Sequence, residues 1–273
     1  MEITASPESI LENYRRDGYV FFPSLLDDRL QNEVSRELPQ ILNEDGPQRF
    51  FEEDGKTVRA IYGLHQKAGV WREIAERSPV ARIARLLLEN EMYVYQWKIN
   101  PKAAFSGEHW EWHRDFTFWA REDGMPTPKV LTAGIFFDET TIENGPLQVV
   151  PGSHLDDWHD DTKYVHAAGE SRESNNWSAL VSANLSHSIP SSDAEKEAEK
   201  RGLFRATGPR GSVIFFHGNI IHGSMPNRSG SARTLGLITY NSVDNTPKHW
   251  TKPRPDFFVS HDPTPLKGVA PLA

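Results

Sequence analysis

The sequence contains no cysteine. Disulfide bonds, thiolate zinc sites, iron–sulfur clusters and cysteine nucleophiles are therefore excluded, and any metal must be held by His, Asp or Glu. The chain also lacks an apolar run approaching the ~20 residues that span a bilayer, and its first residues, MEITASPESI, lack the basic and apolar regions of a signal peptide. We therefore expect a cytoplasmic protein with no membrane partner.

An excess of basic residues is missing as well. The chain has 38 acidic against 30 basic residues and a net charge of −8, so its composition predicts no nucleic-acid partner. The signatures of serine hydrolases, dinucleotide-binding proteins and P-loop nucleotidases are also absent. An acidic surface still allows an anionic small ligand, because a few buried arginines can bind one locally.

The residue pattern divides the chain into a helical beginning and a strand-rich remainder. Ser6-Pro7-Glu8 predicts a helix start, because a hydroxyl cap, a proline in the first turn and an early acid all favour one. Gly18 is suited to end that helix. From about residue 92, short apolar runs alternate with Gly, Pro and Asn. The pattern predicts a mostly β protein with N-terminal helices and a β-sandwich or jelly-roll (double-stranded β-helix) core.

We expect residues 1–273 to form a single domain. Residues 1–90 would be its helical N-terminal part, and residues 91–154 and 207–250 would form the jelly-roll core. Residues 155–206 are mostly polar, which predicts an insert of loop with one short helix that would serve as a lid.

The stretch HWEWHRDFTFW, residues 109–119, contains the first pattern with chemical meaning. On a predicted strand, His113 and Asp115 would project from one face, because side chains i and i+2 of a strand share a face. Such a pair alone is more often a surface or hydrogen-bonded pair than a metal site. A second segment, HGSMPNRSGSAR, strengthens the pattern, since His222 ends an apolar strand and Arg233 begins the next one.

Two histidines and one carboxylate on one side of a metal form the facial triad of non-haem Fe(II) oxygenases, which leaves three coordination positions open. The cosubstrate 2-oxoglutarate fills two of them, and its far carboxylate needs a buried cation, a role that suits arginine. These residues therefore predict a site for Fe(II), 2-oxoglutarate and O2, with Arg233 as the cation. A surface salt bridge would be the favoured interpretation of Arg233 if the histidine pattern were absent.

Longer segments carry a resemblance to a known family. They are GKTVRAIYGLH, YVYQWKIN, WHRDFTFWAREDGM, NGPLQVVPGSH, HGSMPN, YNSVDN and PRPDF. On these segments the chain resembles, almost end to end, the phytanoyl-CoA dioxygenase (PhyH) superfamily of Fe(II)/2-oxoglutarate oxygenases. Within that superfamily it resembles the bacterial ectoine hydroxylases and, more closely, the free L-proline trans-4-hydroxylases. The resemblance implies hydroxylation of a small free amino acid, L-proline at the trans-4 position or a close cyclic analogue.

The resemblance also implies roles for individual residues. The matched positions are His113, Asp115 and His222 for the iron, and Arg233, Thr132 and Asn100 for the cosubstrate. In this match the Thr132 hydroxyl assists Arg233 in binding the far carboxylate of 2-oxoglutarate.

Candidate substrate-binding residues come from the same comparison. Gln96, Trp119 and Arg254 match positions that line the substrate pocket of ectoine hydroxylases, and Arg254 would bind a substrate carboxylate. Two further candidates, Arg59 and His65, lie in a stretch shared with the proline enzymes. Trp110 is added because it stands three residues before the first expected iron ligand.

Two departures from the proline enzymes leave the substrate open. Glu111 and Arg114 flank the expected ligands where other residues are anticipated, and the insert at residues 155–206 differs in detail. An enzyme that hydroxylates ectoine or another small cyclic secondary metabolite is therefore the alternative. A non-catalytic jelly-roll binding protein is a further alternative, which the intact triad and Arg233 oppose.

Overall fold

The computed structural model describes residues 5–157, 185, 187–248 and 253–270. The helices in these ranges are α1 (Pro7–Asp17), α2 (Asp28–Asn43), α3 (Val70–Arg77), α4 (Pro79–Leu88), α5 (Asp115–Asp123) and α6 (Ser191–Arg201). The strands are β1 (Tyr19–Phe22), β2 (Arg49–Phe51), β3 (Val58–Ile61), β4 (Met92–Lys102), β5 (Trp110–His113), β6 (Val130–Phe136), β7 (Leu147–Val149), β8 (Phe204–Ala206), β9 (Val213–His217), β10 (His222–Ser224) and β11 (Arg233–Ser242).

Antiparallel pairing arranges the strands in two sheets. The larger sheet has the order β1-β9-β6-β11-β4-β3-β2, and the smaller has the order β5-β10-β7-β8. Apolar side chains from both sheets, among them Leu147 and Phe216, pack together between them. Two facing antiparallel sheets constitute the jelly-roll core, so the predicted fold class is confirmed.

Strand alternation decides which side chains of the larger sheet face the space between the sheets. In β9, Val213 and Phe215 pack with the helices, whereas Ile214 and Phe216 pack against the smaller sheet. The helices α1 to α4 cover the other face, where their apolar side chains join those of β6 and β9 in the largest hydrophobic cluster. The site described below lies on the face turned toward the smaller sheet.

The first helix begins and ends where the sequence predicts. Ser6 accepts a hydrogen bond from the amide of Ser9, Pro7 opens the helix, and Gly18 closes it in the left-handed region at φ 77°. A side chain at Gly18 would place its Cβ 2.4 Å from Nδ1 of His154, so the position needs glycine for space as well as for conformation.

The N-terminal part contains strands as well as helices. The strands β2 and β3 lie at the edge of the larger sheet, and β1 pairs with β9. Strands as short as β2 and β3 carry little local pattern; β2 pairs with β3, and β3 pairs with β4 at Ile61. One local prediction needs correction. The predicted strand HWEWHRDF stops at His113, and helix α5 begins at Asp115.

The described part of the predicted insert contains the expected short helix, α6. Residues 158–184, on which much of the lid prediction rests, lie outside the described residues. No helix within the described ranges is long and apolar enough to cross a membrane.

A pair of histidines packs against the last turn of α1. The rings of His154 and His217 have centroids 5.2 Å apart, and the Tyr14 ring lies 6.1 Å from His217. Burial, together with the nearby His154 and Arg114, lowers the pKa of His217 to about 3. Burial also lowers the pKa of His154. The folded protein therefore keeps both rings neutral.

Stability is expected to fall as the pH is lowered below about 6.5, where the unfolded chain begins to protonate its histidines. Because the unfolded state then binds more protons than the folded state, His217 alone should lower the free energy of unfolding by on the order of 1–2 kcal/mol between about pH 6.5 and 5. Urea unfolding at several pH values measures the slope. The loss should be smaller in His217→Gln, and an identical slope in both proteins would contradict the assignment to His217.

Candidate metal centre and its two cavities

The side chains of His113, Asp115 and His222 meet at one point. One ligand atom from each lies within 4.8 Å of the others. Nε2 of His113 is 3.5 Å from Oδ1 of Asp115, and Nε2 of His222 is 3.8 Å from Oδ2 of the same carboxylate. All three side chains are largely shielded from solvent. The structure therefore brings together the three residues that the sequence predicts as metal ligands.

The convergence has a different structural origin from the one that the sequence suggests. His113 ends β5, and its register partner in β10 is His222, so strand pairing places the two imidazoles side by side. Asp115 does not continue the strand, because it opens α5 after Arg114, which retains an extended backbone. The carboxylate reaches the histidines from the first turn of a helix.

Backbone carbonyls orient both imidazoles. Nδ1 of His113 lies 2.6 Å from the carbonyl oxygen of Glu111, and Nδ1 of His222 lies 3.1 Å from that of Ile220. A carbonyl can only accept, so Nδ1 donates in each ring, and in the neutral form of the ring Nε2 carries the lone pair. This tautomer presents Nε2 to a metal and holds the ring in place.

The electrostatics of the cluster also favour a cation. Burial raises the pKa of Asp115, but His222, His113 and Lys98 outweigh it and hold that pKa below its usual value. Burial and the neighbouring His113 lower the pKa of His222 to about 4. The cluster therefore presents the neutral imidazole of His222 and the ionised carboxylate of Asp115, with the imidazole of His113 beside them. This donor set fits Fe(II), and the metal would face the cavities that adjoin it.

The first cavity runs from the cluster along β4 and β11. Its walls include the apolar side chains of Leu147, Phe216, Leu235 and Leu237. Apolar walls with a few polar groups are typical of small-ligand sites, and they exclude water around a bound ligand.

Arg233 lines this cavity and is 2% exposed. Its Nη2 donates to the carbonyl of Gly145, and no carboxylate of the described residues lies within ion-pair distance of it. Burial lowers the pKa of Arg233 to about 10, so the group remains charged at neutral pH. Asn100 lines the same cavity, and its Oδ1 has no hydrogen-bond partner within the described part of the chain. Both residues lie where a buried carboxylate could be bound.

Thr132 lies elsewhere. It is opposite Thr239 in the sheet, at the far end of β11 from Arg233. Its hydroxyl is 3.5 Å from Oδ2 of Asp115 and 3.2 Å from the hydroxyl of Thr239. The structure thus does not bring Thr132 to Arg233, and the hydroxyl supports the Asp115 carboxylate.

Two lysines of β4 lie at the site but are not among the residues predicted from the sequence. Lys98 lines both cavities, and the ammonium of Lys102 donates to the Ser224 hydroxyl at 2.8 Å at the Arg233 end of the first cavity. Burial, then Arg233 and Arg59, lower the pKa of Lys102 well below its usual value. A signal for both was present, because they alternate with Trp97 and Ile99 and therefore share a face with Asn100.

The second cavity adjoins the first at Lys98, Trp110, His113 and Asp115. It contains three predicted substrate residues: Gln96, Trp119 and Arg254. Leu185 and several aromatic side chains form the remaining wall. The aromatic side chains are those of Tyr62, Trp110, Phe118 and Phe258. Trp110, a further candidate substrate residue, lines both cavities.

Arg254 supplies positive charge to the second cavity. Its Nε lies 2.6 Å from Oδ1 of Asp123, which is fully buried and also accepts from the Tyr95 hydroxyl at 2.6 Å. Nη2 of Arg254 has no hydrogen-bond partner in the part of the chain that the structure describes. The guanidinium is thus fixed on one side, with a donor left over on another.

Two predicted pocket residues lie outside both linings. Nε2 of His65 is hydrogen-bonded to the carbonyl of Asp256 at 2.7 Å, and His65 does not reach the triad. Arg59 is buried behind Trp110, with its guanidinium 3.9 Å from the centre of the Trp110 ring.

The residues that depart from the expected pattern have structural contacts. Arg114 donates to the carbonyl of Ser153 at 2.6 Å, and Glu111 accepts from the amide of Leu185 at 2.9 Å. Through Leu185, Glu111 is therefore connected to the wall of the second cavity. His109, a possible spare ligand by sequence, has an exposed side chain and lies outside the metal cluster.

Known proteins resemble this chain along nearly its whole length. The sequence profile of the phytanoyl-CoA dioxygenase (PhyH) family matches residues 14–235. An L-proline trans-4-hydroxylase from Streptomyces griseoviridis is 39% identical over 270 residues, which cover 98% of each chain. An ectoine dioxygenase from Stutzerimonas stutzeri is 33% identical, over 93% of this chain and 83% of its own. The crystal structure of EctD from S. alaskensis with 2-oxoglutarate and 5-hydroxyectoine superposes with a TM-score of 0.79 at 27% identity, covering 100% of this chain and 92% of the other.

Proposed function

Because this chain belongs to the phytanoyl-CoA dioxygenase (PhyH) family, we propose that it is an Fe(II)/2-oxoglutarate-dependent hydroxylase of a small free amino acid. L-Proline, at the trans-4 position, or a close cyclic analogue is the proposed substrate, and the 39% identity to an L-proline trans-4-hydroxylase supports this choice. The observation that carries the proposal is the His113–Asp115–His222 cluster at the junction of two cavities, each of which has a buried arginine.

In this proposal the three clustered side chains hold the iron. When bound, Fe(II), 2-oxoglutarate and O2 supply the oxidising chemistry that converts a C–H bond of the substrate to C–OH and yields succinate and CO2. The contribution of the protein is to position the reactants and to exclude water. Thr132 stabilises the carboxylate of Asp115, and the carbonyls of Glu111 and Ile220 keep the two imidazoles aligned.

The first cavity would hold 2-oxoglutarate. Arg233 would bind the far carboxylate, because a buried guanidinium with no ion-pair partner among the described residues gains most from an anionic ligand. Asn100 offers an amide to the same ligand, and the leucine side chains of the walls keep water away from it.

The second cavity would hold the amino acid. Arg254 would bind its carboxylate through Nη2, which has no partner among the described residues, with Gln96 as a further polar contact. Trp119 and the other aromatic walls would enclose the aliphatic ring of the substrate and leave one C–H bond turned toward the metal cluster. Lys98 would contribute positive charge at the border between the two ligands.

We further propose that the chain acts as one dioxygenase domain. The support is that β1 to β3, from the N-terminal part, pair with strands of the larger sheet. The role of residues 155–206 as a lid and the cytoplasmic location remain predictions.

A substrate such as ectoine, or another small cyclic metabolite, is the alternative within the same chemistry. It is favoured by the 33% identity to an ectoine dioxygenase and by the superposition on EctD. Ectoine also carries a carboxylate on a ring, so Arg254 would serve it in the same way.

A mass-spectrometric screen tests the proposal directly. The purified protein is incubated with Fe(II), 2-oxoglutarate, ascorbate and one candidate at a time, namely L-proline, L-pipecolate or ectoine. We expect a product heavier by one oxygen atom from L-proline, formed together with succinate. Product from ectoine alone would transfer the proposal to the alternative. Absence of succinate and of Fe(II)/2-oxoglutarate binding under anaerobic titration would indicate a non-catalytic binding protein.

Replacement of Arg254 by leucine is expected to raise the KM for L-proline by about tenfold or more, since a charge-assisted hydrogen bond to a carboxylate is lost. Prolinamide, which lacks that carboxylate, should be affected far less. Burial already raises the pKa of Asp123, so that residue can take up a proton once Arg254 is gone, which limits the cost to folding.

Steady-state kinetics with both substrates measure the difference, and Asp123→Asn is the matched control. This variant retains Arg254 and should bind L-proline without a comparable loss. An equal decrease for L-proline and prolinamide in Arg254→Leu would assign Arg254 a purely structural role.

A further inference from the structure

Trp110 occupies an unusual position, because its side chain contributes to the walls of both cavities. A wall shared by two ligand sites affects the relative placement of the two ligands. The position of the Trp110 side chain should therefore affect the reaction more than the position of a side chain that contacts only one ligand.

The backbone around Trp110 gives it little support. The strand β5 is four residues long, lies at the edge of the smaller sheet and pairs only with β10 among the described strands. The register shifts between the two pairs that hold it, His222↔His113 and Ser224↔Trp110. The preceding segment is not a strand, and Phe105 within it is 74% exposed. Something other than strand pairing must keep the Trp110 ring in place.

Arg59 supplies a contact to the ring itself. Its guanidinium carbon lies 3.9 Å from the centre of the Trp110 ring, which is the distance of a direct cation–π stack. Arg59 belongs to β3, in the larger sheet, whereas Trp110 belongs to the smaller sheet. The stack therefore connects the two sheets beside the cavities.

Glu52 holds Arg59 in this position. The carboxylate of Glu52 accepts from Nη1 of Arg59 at 2.7 Å, and both side chains are almost completely buried, with 5% and 1% exposed. Burying such a pair is costly and often adds little net stability compared with apolar residues. Its presence here is more consistent with fixing a geometry than with stabilising the fold.

The Glu52–Arg59 ion pair also binds two backbone groups directly before Trp110. The amide of Glu108 donates to Oε1 of Glu52 at 3.3 Å, and Nη2 of Arg59 donates to the carbonyl of His109 at 3.2 Å. Two backbone groups and one ring, from three consecutive residues, are thus held by a single buried ion pair.

We infer that Glu52 and Arg59 form a clamp that fixes Trp110 as the common wall of the two cavities, so that Arg59 is a positioning residue that acts on the reaction through Trp110. Arg59 is then neither a substrate ligand nor a mere core residue. The effect on the reaction rests on the proposed function, whereas the effect on the Trp110 ring does not.

The first test follows the ring without any ligand. The protein is labelled with 5-fluorotryptophan, and the Trp110 resonance is assigned by its absence in Trp110→Phe. In Arg59→Met the Trp110 signal should shift or broaden. The matched control is Arg49→Met, which removes a neighbouring arginine that pairs with Asp45 and lies over the Phe51 ring, away from the cavities. The control should leave the Trp110 signal unchanged.

The second test measures how well the reaction is coupled, as the ratio of hydroxylated amino acid to succinate formed. Misplacement of the shared wall should lower this ratio by about threefold or more in Arg59→Met and in Trp110→Leu. Because both changes act through the same ring, the double variant should be no worse than Trp110→Leu alone. Arg49→Met should keep the ratio of the unmodified protein.

Arg59→Lys keeps a cation for Glu52 but lacks the planar group that stacks, and it replaces Arg59→Met if that variant does not fold. It should also shift the Trp110 resonance. An unchanged Trp110 signal in the Arg59 variants, or losses of coupling that add up in the double variant, would overturn the clamp. If the protein hydroxylates no amino acid, the proposed function fails and the fluorine spectra alone decide the clamp.

Discussion

Replacement of Asp115 by alanine is expected to lower succinate formation by at least about 100-fold, since loss of a residue that merely supports a ligand already costs 10- to 100-fold. The variant retains both histidines, but it lacks the carboxylate that lies within 3.8 Å of each imidazole. It also removes the only negative charge of the cluster, and with it the main attraction for a divalent cation.

Iron content after anaerobic reconstitution, together with the rate of succinate formation, measures the effect. Asp244→Ala is a suitable control, because this carboxylate accepts from Asn90 and lies outside both cavity linings. The control should keep iron and activity. Full turnover by Asp115→Ala would remove the cluster from the proposed mechanism.

Replacement of Arg233 by methionine is expected to raise the KM for 2-oxoglutarate by roughly two orders of magnitude, because truncating one member of a buried, hydrogen-bonded charge pair costs 2–5 kcal/mol or more in comparable complexes. The KM for the amino acid should change little, since Arg233 lines the first cavity only. Stability without ligand should hardly fall, because the guanidinium has no ion-pair partner among the described residues that would be left unpaired.

Separate titrations of the two substrates measure the split. Arg233→Lys keeps the positive charge but cannot bind a carboxylate in a bidentate manner. Its KM for 2-oxoglutarate should therefore lie between those of the unmodified protein and of Arg233→Met. A KM for 2-oxoglutarate that stays constant in Arg233→Met would exclude Arg233 as the residue that binds the far carboxylate.

The sequence predicts the parts of this site that depend on local or repeated patterns. The capping residues of α1 determine where that helix begins and ends, and the structure agrees with the prediction. The three clustered side chains were identified from residue types and spacing, although the predicted strand geometry of Asp115 was wrong. The sequence does not indicate a helix start after His113, because the N-cap residue, Arg114, makes no capping hydrogen bond with its side chain.

Residues that depend on long-range register were harder to find. The distance of Thr132 from Arg233 follows from which strand residues pair across β6 and β11, and no local pattern specifies that register. The resemblance of its segment to the proline enzymes predicts Arg59 in the substrate pocket. Its true environment, beneath Trp110 and against Glu52, arises only when β3 joins the larger sheet.

The two cavities are lined by different kinds of backbone segment. The first is lined mainly by paired strands of both sheets, whereas the second takes Tyr62, Leu185 and Arg254 from connecting or terminal segments outside the named strands and helices. Connecting segments tolerate substitution, insertion and deletion much better than paired strands. Substitutions that change the substrate can therefore accumulate around the second cavity while the metal ligands and the first cavity stay intact. This separation makes the protein a suitable starting point for directed evolution toward other amino-acid substrates.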